Sequence, residues 1–499
     1  MKPSTASLLC AGLCAAAAAA AAAITPDFKT SEAGNPFVDG FYADPDNEFY
    51  NGQYWVYPTS SYGYDDQTYL DAFSSPDLIH WTKHANILVA ADFPWAKRAV
   101  WAPAPIARNG KYYLYFGAND IQTNDEYGGI GVGVADRPEG PYNDPIGGPL
   151  IAKYYNGAQP IDQDVFLDDD GQAYIYYGGH GHANVAKLNS DMISLGTFSD
   201  GSTFKEITPK NYVEGPQMIK RNGTYYLFWS EGGWGGPDYA VSYAMSASPL
   251  GPFERLAKIL EQDTAVATGS GHNGVIHVPG SDIYYMLYHR HPLGNNIDAN
   301  DRHLAYDRLT FNPDGTIQPV RMLVHDNFDD GNMLGWTVYG GSWDASSNAL
   351  RARTSAGGKA LLNTNFTDLS FSADVTLPSS SDSGSGNAGL VFRASRPAVG
   401  TDAYEGYYAG ISTSGKLLLG KAAKGGVWTQ LAETKADVRP GKTYTLKVTA
   451  RKDALSLYAG DSTSAQIHIS DGSYAGGMDG VRVYQTDAVF DNVRVEHLS

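Results

Sequence analysis

The chain has 499 residues, of which 42% are hydrophobic and 18% charged, with 56 glycines, 26 prolines and 34 tyrosines. A chain of this length has room for two or three domains, and its many tyrosines and glycines favour an all-β protein rich in turns. The formal net charge of −18 argues against nucleic acid or an anionic membrane as the main partner.

Residues 1–23 have the pattern of a secretory signal peptide. Lys2 is followed by a leucine pair and an alanine-rich run, which corresponds to the charged start, apolar middle and small-residue end of such signals. A transmembrane anchor is the alternative, but the stretch is short and alanine is only weakly apolar. We therefore expect a secreted, extracellular protein in which residues 24–34 form a short N-terminal segment.

Cleavage of this signal would remove both cysteines of the sequence, Cys10 and Cys14. The mature chain would then have no thiol for a disulfide, a nucleophile or a thiolate metal site.

A five-fold repeat follows the N-terminal segment. In each copy a tight turn ending in glycine precedes a strand with two or three aromatic residues, and the turn glycines lie at positions 52, 110, 171, 223 and 280. Asn-Gly and Asp-Gly are typical of hairpin turns, because these turns require positive φ. Spacings of 52 to 61 residues fit one four-stranded propeller blade per copy. We therefore predict a five-bladed β-propeller over residues 35–322, with a long stacked β-sandwich as the alternative.

The repeat also predicts where a functional site lies. The residues eight or nine positions before the turn glycines are three carboxylates, a tryptophan and a histidine: Asp44, Trp101, Asp162, Glu214 and His272. Equivalent positions of successive blades are related by rotation about the propeller axis. We therefore expect these five side chains to point into one central cavity.

The three carboxylates suit the hydrolysis of a glycosidic bond. That reaction needs one carboxylic acid to protonate the leaving oxygen and one carboxylate to activate water or attack directly. A third carboxylate nearby raises the pKa of the acid, because like charges resist ionisation together. Other acidic residues have a simpler interpretation: Asp168–Asp170 are typical of a turn, and Asp39 and Asp46 are interpreted as solvated loop residues.

Three stretches in this region resemble the signature motifs of glycoside hydrolase family 43: Tyr42-Ala43-Asp44-Pro45, Ile161-Asp162 and Glu214-Gly215-Pro216. The resemblance implies a five-bladed propeller enzyme that acts by inversion. It implies that Asp44 is the general base, that Glu214 is the general acid, and that Asp162 tunes the pKa of the acid and orients it.

Further residues correspond to the family pattern. Arg302 resembles an arginine of the last blade that reaches the active site, and with Trp101 it is expected to bind substrate. His272 resembles an axial histidine that helps some members hold a structural calcium ion, and otherwise no cofactor is expected. The family's usual Ile-Asp-Pro is Ile161-Asp162-Gln163 here, which leaves Asp164, two residues further on, as a competing candidate.

The sequence changes character after the repeat, where short alternating runs predict an antiparallel β-sandwich over residues 323–499. The Asp-Asn-Phe-Asp-Asp-Gly stretch from Asp326 and the closing Val489–Val495 resemble concanavalin-like jelly-roll modules, including carbohydrate-binding module family 66. Such a domain is accessory. It either binds sugar, through Arg393, Glu405 and Tyr407, or braces the propeller. We expect the two domains to pack directly, since no flexible linker separates them.

The resemblance implies an exo-acting enzyme that releases terminal α-L-arabinofuranosyl residues from arabinoxylan or arabinan. A β-1,4-xylosidase acting on xylo-oligosaccharides is the main alternative, followed by a retaining fructosidase or a non-catalytic sugar-binding propeller. The expected partners are plant cell-wall polysaccharides and oligosaccharides, with no nucleic acid and no membrane, and the chain is expected to be a monomer. Three insertions are predicted to shape the pocket: Tyr62–Gln67, Asp120–Tyr127 and Glu231–Tyr239.

Overall fold

A computed structural model describes residues 34–354, 356–378 and 386–498. The predicted signal peptide and all but the last residue of the N-terminal segment lie outside these ranges. The described part is built almost wholly from β-strands, with one 3₁₀ turn at Ala90–Asp92. Among its helices, none has the length and apolar character needed to span a bilayer.

The first half forms five antiparallel sheets, the blades of the predicted propeller, which is confirmed. The strands of the first two blades are β1 (Tyr42–Tyr50), β2 (Gln53–Ser60), β3 (Tyr69–Ser75) and β4 (Thr82–Val89), then β5 (Trp101–Arg108), β6 (Lys111–Ala118) and β7 (Gly129–Ala135). Those of the third blade are β8 (Asp164–Leu167), β9 (Ala173–Tyr177), β10 (Asn184–Leu188) and β11 (Phe204–Glu206). Those of the last two blades are β12 (Glu214–Arg221), β13 (Thr224–Glu231), β14 (Ala240–Ser246) and β15 (Arg255–Leu260), then β16 (Thr268–His277), β17 (Tyr284–His291) and β18 (His303–Leu309).

Each blade begins with the hairpin that the repeat predicted. In the first, Asn51 and Gly52 have φ values of 53° and 81°, and in the fourth Asn222 and Gly223 have values of 51° and 79°. Two consecutive positive φ values are what a type I′ turn requires, and Asn-Gly adopts them at little cost. The second strand of each hairpin is the aromatic one, and it is buried on both faces; β9 and β17 are buried along their whole length.

Apolar layers between adjacent blades hold the propeller together. Trp55, Tyr57 and Leu70 of the first blade pack with Leu114 and Phe116 of the second in one cluster of buried residues. The ring of blades closes where the start of the described chain meets the last blade. The Tyr42 backbone amide donates to the Arg302 carbonyl at 2.9 Å, and the Asn35 side-chain amide donates to the Tyr306 carbonyl at 3.0 Å.

The second half is a sandwich of two antiparallel sheets, as predicted. Its strands up to β26 are β19 (Val324–Asp326), β20 (Trp336–Tyr339), β21 (Ser342–Asp344), β22 (Leu350–Arg353), β23 (Gly357–Phe366), β24 (Leu369–Thr376), β25 (Asn387–Ser395) and β26 (Glu405–Ser412). The remaining strands are β27 (Lys416–Ala423), β28 (Val427–Lys435), β29 (Thr443–Arg451), β30 (Ala454–Ala459), β31 (Ile467–Ser470), β32 (Gly477–Tyr484) and β33 (Ala488–His497). One sheet has the order β21-β22-β33-β24-β29-β30-β31, with β19 beside β33, and the other has the order β20-β23-β32-β25-β26-β27-β28.

The propeller and the sandwich pack directly against each other. One continuous hydrophobic cluster contains buried residues of the last two blades, such as Phe228 and Tyr288, and residues of the sandwich core, such as Phe371. The Asn365 amide donates to the Ala265 carbonyl at 2.9 Å across the boundary. The expectation of direct packing without a flexible linker therefore agrees with the structure.

Two of the three sugar-binding candidates in the sandwich are structural. Arg393 is 1% exposed and its guanidinium donates to the carbonyls of Thr367 and Lys452, both at 2.7 Å. Tyr407 is fully buried and donates to Asp471. The interpretation of Arg393 and Tyr407 as sugar contacts is therefore wrong: both side chains are buried and form hydrogen bonds inside the domain.

Candidate active site

A pocket of roughly 270 Å³ lies where the innermost strands of the blades converge. The structure brings all five residues of the repeat into its wall: Asp44, Trp101, Asp162, Glu214 and His272. Arg302, from the start of the last strand of the propeller, also lines it. The predicted convergence of these side chains is thus observed, although they come from positions far apart in the chain.

The backbone has the same unusual conformation at this level of every blade. One residue per blade has a positive φ: Asp44 at 47°, Ala102 at 44°, Asp162 at 53°, Gly215 at 62° and His272 at 45°. Four of the five are not glycine, and such residues rarely adopt the left-handed region outside strained or functional positions. These residues turn the entrance of each innermost strand towards the axis. Trp101 and Glu214 lie one residue earlier, which accounts for their spacing of nine, whereas Asp162 is itself the positive-φ residue and the third hairpin is one residue longer.

Asp44 is held as an ionised carboxylate. Its Oδ1 accepts a hydrogen bond from Arg302 Nη1 at 3.0 Å and lies 3.5 Å from His272 Nδ1 and 3.3 Å from His289 Nδ1. Burial alone would raise the pKa of Asp44, but the charge of Arg302 holds this pKa well below its ordinary value. Asp44 is therefore suited to accept a proton from water.

Glu214 has the opposite electrostatic character. Burial raises its pKa to about 7, and the negative charge of Asp44 adds to this rise, while a hydrogen bond from Tyr239 and the charge of Arg302 oppose it. The Tyr239 hydroxyl donates to Glu214 Oε1 at 2.8 Å. A carboxyl that keeps its proton to about neutral pH can donate it to a leaving oxygen.

Asp162 lies beside these two groups. Burial and the charges of Glu214 and Asp44 raise its pKa well above the ordinary value, against a hydrogen bond from the Gly215 amide. The competing candidate, Asp164, does not line the pocket. Its Oδ2 accepts the Met218 amide hydrogen at 2.7 Å, so of the two it is Asp162 that faces the site.

Asp46 was interpreted as solvated, and this interpretation is wrong. Burial and the charge of nearby Asp164 raise the pKa of Asp46 well above its ordinary value, and Gln217 Nε2 lies 3.4 Å from its Oδ1. With Glu48, whose pKa burial raises to about 7, these residues form a group of buried carboxyls separate from the pocket. We refer to Asp46, Glu48 and Asp164 as the second carboxyl cluster.

His272, the residue associated with a calcium ion, contacts two carboxylates. Its Nδ1 lies 3.5 Å from Asp44 Oδ1 and 3.8 Å from Asp162 Oδ2, and burial lowers its pKa. Within the ranges that the structure describes, no group of three or more His, Cys, Asp or Glu side chains is arranged to hold a metal ion. These residues therefore do not form a metal centre by themselves, and calcium near His272 stays a prediction that chelation tests.

Two buried aromatic residues contact Glu214 and Asp44 in roles that the sequence analysis did not predict, although Tyr239 ends one of the predicted insertions. Tyr239 donates to Glu214 and stacks on His289, with ring centroids 5.6 Å apart and planes at 16°. His289 Nδ1 lies 3.1 Å from the Asp44 amide, whose hydrogen it accepts. Neither residue falls in the phase of the repeat, so the turn spacing gave no signal for them.

The predicted loops do shape the pocket. Tyr64, Asp120 and Trp234, one from each of the three insertions, line it. Trp234 lies against the Arg302 guanidinium, 4.9 Å from it, and Tyr64 contacts the edge of Trp101, with centroids 5.0 Å apart. Gln122 also belongs to a predicted insertion, whereas Gln159, Ile161 and His180 of the third blade complete the wall and were not predicted as pocket residues.

The site therefore combines a base that stays ionised, an acid that stays protonated to about neutral pH, aromatic walls and one arginine. An acid and a base of this kind on one pocket can protonate a leaving oxygen while activating a water molecule.

Comparisons with known proteins agree with this chemistry. The family model described as "Glycosyl hydrolases family 43" matches residues 33–317. A second family model, described as a "3-keto-alpha-glucoside-1,2-lyase-like domain", matches residues 325–496.

Two curated relatives cover the propeller. A β-D-galactofuranosidase of Aspergillus niger is 45% identical over 311 residues, which are 59% of this chain and 87% of the relative. A xylosidase/arabinosidase of Humicola insolens is 28% identical over 340 residues, which are 56% of this chain and 98% of the relative. Among solved structures, an α-L-arabinofuranosidase of Clostridium thermocellum is 31% identical, with a TM-score of 0.47, covering 57% of this chain and 95% of that chain.

Proposed function

Because this chain belongs to family 43 of the glycosyl hydrolases, we propose that it is an exo-acting, inverting glycosidase that releases terminal α-L-arabinofuranosyl residues from arabinoxylan or arabinan. The observation that carries the proposal is the opposite ionisation of Asp44 and Glu214 on one small pocket. Relatives named for arabinofuranosyl and xylosyl substrates support this substrate class.

Each residue of the site has its own role in the proposed reaction. Glu214 donates its proton to the glycosidic oxygen as the bond to the anomeric carbon breaks. Asp44 accepts a proton from a water molecule, whose oxygen forms the new bond on the opposite face of the sugar ring. Asp162 lies beside the acid. Because two negative charges repel each other, the pair of Asp162 and Glu214 tends to keep one proton between them. Trp101 and Arg302 contact the sugar, and Arg302 also keeps Asp44 ionised.

The size of the pocket supports exo action. A volume of roughly 270 Å³ is slightly below the about 300–1,000 Å³ typical of sites for drug-sized ligands. Such a pocket suits one terminal sugar rather than several consecutive units of a polysaccharide.

A β-D-galactofuranosyl group is a second candidate, because the Aspergillus niger relative, 45% identical, is named a β-D-galactofuranosidase. The two sugars are closely related in shape. β-D-galactofuranose has the ring configuration of α-L-arabinofuranose and carries one more exocyclic carbon with its hydroxyl. A β-xylosidase remains the alternative that the name of the Humicola insolens relative supports.

The experiment compares release of nitrophenol from α-L-arabinofuranoside, β-D-galactofuranoside and β-D-xyloside, and then release of sugar from arabinoxylan and arabinan. We expect the arabinofuranoside to have the highest kcat/KM, and proton NMR to show the anomer of opposite configuration as the first product. The Glu214→Gln and Asp44→Asn variants serve as inactive controls. Preference for the xyloside, or a first product of retained configuration, would overturn the proposal.

We also propose that the protein is secreted, on the basis of the pattern in residues 1–23. Expression in a secreting host followed by N-terminal sequencing of protein from the medium tests this. A mature N-terminus close to residue 24 is expected, and retention of the full chain inside the cell would contradict it.

A further inference from the structure

Tyr239 and His289 connect the two groups that transfer protons. Tyr239 donates to Glu214 Oε1 at 2.8 Å, and its ring stacks on His289. His289 Nδ1 accepts the Asp44 amide hydrogen and lies 3.3 Å from the Asp44 carboxylate. One stack therefore contacts the general acid at one end and the general base at the other.

The stack is held rigidly from behind. Tyr239 and His289 are both fully buried, and neither lines the pocket. Gly271, which pairs with His289 across β16 and β17, gives the Tyr239 ring its space, because a Cβ at this position would lie 2.3 Å from Tyr239 Cδ1. Close packing of this kind leaves the phenol ring no alternative position.

From these contacts we propose that Tyr239 and His289 act together as a positioning unit that fixes Glu214 and Asp44 relative to each other. The inference rests on the proposed roles of Glu214 and Asp44. In an inverting enzyme the distance between the acid and the base must leave room for the sugar and a water molecule. A buried stack of two rings sets this distance more precisely than loops do. Tyr239 also favours the ionised form of Glu214 through its hydrogen bond, so it influences when the acid loses its proton.

The charged and titratable groups facing Glu214 come from all sides of the site. They are Tyr239, Asp44, Arg302, Asp162, Tyr64 and Tyr212. Of these, Tyr239 donates a hydrogen bond to the Glu214 carboxylate. Its removal is therefore expected to move the titration of Glu214 while the other groups stay in place.

The first test is the Tyr239→Phe variant, which removes only the hydroxyl. We expect kcat to fall with little change in KM, and the alkaline limb of the pH–rate profile to move up by about one pH unit, as loss of one hydrogen bond to a charged group implies. The matched control is Tyr243→Phe, a buried tyrosine of β14 whose hydroxyl oxygen accepts the Ile317 amide hydrogen instead. An unchanged alkaline limb with only a lower melting temperature would show that Tyr239 is merely structural.

The second test is a double-mutant cycle with Tyr239→Phe and His289→Phe, which keeps both rings and removes their polar groups. If the two residues act as a unit, the double variant loses less kcat than the product of the two single losses. Multiplicative losses would overturn the proposal. Total inactivity of the wild-type protein on every glycoside tested would instead count against the proposed function.

A separate observation concerns Asp120, in the pocket wall. Its Oδ1 accepts hydrogen bonds from Gln122 Nε2 at 2.7 Å and Gln159 Nε2 at 3.2 Å, and its backbone has a φ of 49°. Burial raises its pKa. No ion pair involving Asp120 occurs among the residues that the structure describes. The fold thus keeps a partly buried carboxylate in the pocket and orients it with two amides, at a cost in desolvation that the more distant charge of Arg98 offsets only in part.

We infer that Asp120 is a specificity residue that accepts hydrogen bonds from hydroxyl groups of the bound sugar beyond its furanose ring. A carboxylate accepts two hydroxyl hydrogens from neighbouring carbons well, because it presents two oxygens and no donor. The exocyclic part of a galactofuranosyl group has such a pair of hydroxyls, whereas that of an arabinofuranosyl group has one. This inference also rests on the proposed function.

The test compares Asp120→Asn and Asp120→Ala with the wild type on the aryl arabinofuranoside and the aryl galactofuranoside. We expect both variants to lose about tenfold more kcat/KM on the galactofuranoside than on the arabinofuranoside. Asp125→Asn, an exposed acid of the same loop that does not line the pocket, is the matched control. Equal losses on both substrates, or none, would overturn the role of Asp120. Lack of wild-type activity on both furanosides would overturn the proposed function instead.

Discussion

At the scale of single residues, the site depends on charges placed so that two similar carboxyls behave differently. Asp44 has a cation and two imidazoles around its carboxylate. Glu214 has a tyrosine hydroxyl and buried surroundings. The environment thus moves the two pKa values apart, as in other enzymes with paired acids, and this separation supports the proposed roles of base and acid.

This arrangement predicts the pH dependence of the reaction. Glu214 must be protonated to act, so the rate is lost as the pH rises through its pKa of about 7. Asp44 must be ionised, and because its pKa is held well below the ordinary value, it limits the rate only in strong acid. We expect kcat/KM to be level in weakly acidic solution and to fall above about pH 7. A rate that rises through neutral pH would contradict the assignment of Glu214 as the acid.

Replacing Arg302 by methionine removes the cation that lowers the pKa of Asp44. Asp44 would then keep its proton at higher pH, so the acidic limb of the profile moves upward and kcat/KM falls by about 10²-fold or more. Arg308→Met is the control, since Arg308 lies on β18, which Arg302 directly precedes, but contacts Tyr285 instead of the pocket. An acidic limb that does not move in Arg302→Met would show that Arg302 is not the group that keeps Asp44 ionised.

At the scale of strands, the register of β1 explains why one acid was interpreted wrongly. Asp44 and Asp46 are two residues apart, and a regular strand would place both side chains on one face. The register between β1 and β2 shifts between Ala43 and Asp46, as a β-bulge does. Asp44 therefore lines the pocket, while Asp46 lies near Asp164 in the second carboxyl cluster.

The second carboxyl cluster predicts how stability depends on pH. Burial raises the pKa of Asp164 to about 7, from an ordinary value of 3.8. The folded state thus keeps a proton that the unfolded chain releases, and this contribution is complete below about pH 4 and lost as the pH rises through about 7. For Asp164 alone the loss between about pH 5 and about pH 8 is at most about 3 kcal/mol.

The Asp164→Asn variant should flatten this dependence, because an amide cannot ionise but can still accept the Met218 amide hydrogen. The free energy of unfolding, measured by denaturant titration over this pH range, should fall less in Asp164→Asn than in the wild type. Asp125→Asn, on an exposed loop, should leave the dependence unchanged. If the wild type is equally stable across the range, the cluster is not protonated at low pH in the folded state.

The strands also show how far the sequence could predict the site. Turn glycines with regular spacing predicted the blades and the five converging residues, because each hairpin repeats the same local chemistry. Tyr239 and His289 carry no such signal. Tyr239 precedes β14 and His289 lies on β17, and they meet only because neighbouring blades pack together. Asp120 was predicted only as part of a loop, since the sequence does not show which loop side chain turns inwards.

At the scale of the whole molecule, the sandwich is joined to the propeller by more than a surface contact. Apolar side chains of the last two blades and of the sandwich belong to one buried cluster. The segment between the halves takes part in both: the Val320 amide donates to the Ile259 carbonyl at 2.7 Å, and β19 pairs with β33. Cutting the chain there would expose apolar surface on the propeller.

We therefore expect the sandwich to stabilise the propeller, whether or not it also binds sugar. Calorimetry of the full chain should show a single cooperative transition, because a shared hydrophobic core couples the unfolding of its two parts.

A chain ending at residue 322 should melt at a lower temperature or aggregate, since its exposed cluster loses burial worth about 25 cal/mol per Å². His497→Ala in the full chain removes the 2.8 Å contact with Asp263 across the boundary and a ring contact with Phe366, and should change the melting temperature little, because exposed polar contacts contribute little. Two separate transitions in the full chain, with the propeller transition unchanged after truncation, would show that the domains are independent and that bracing is not the role of the sandwich.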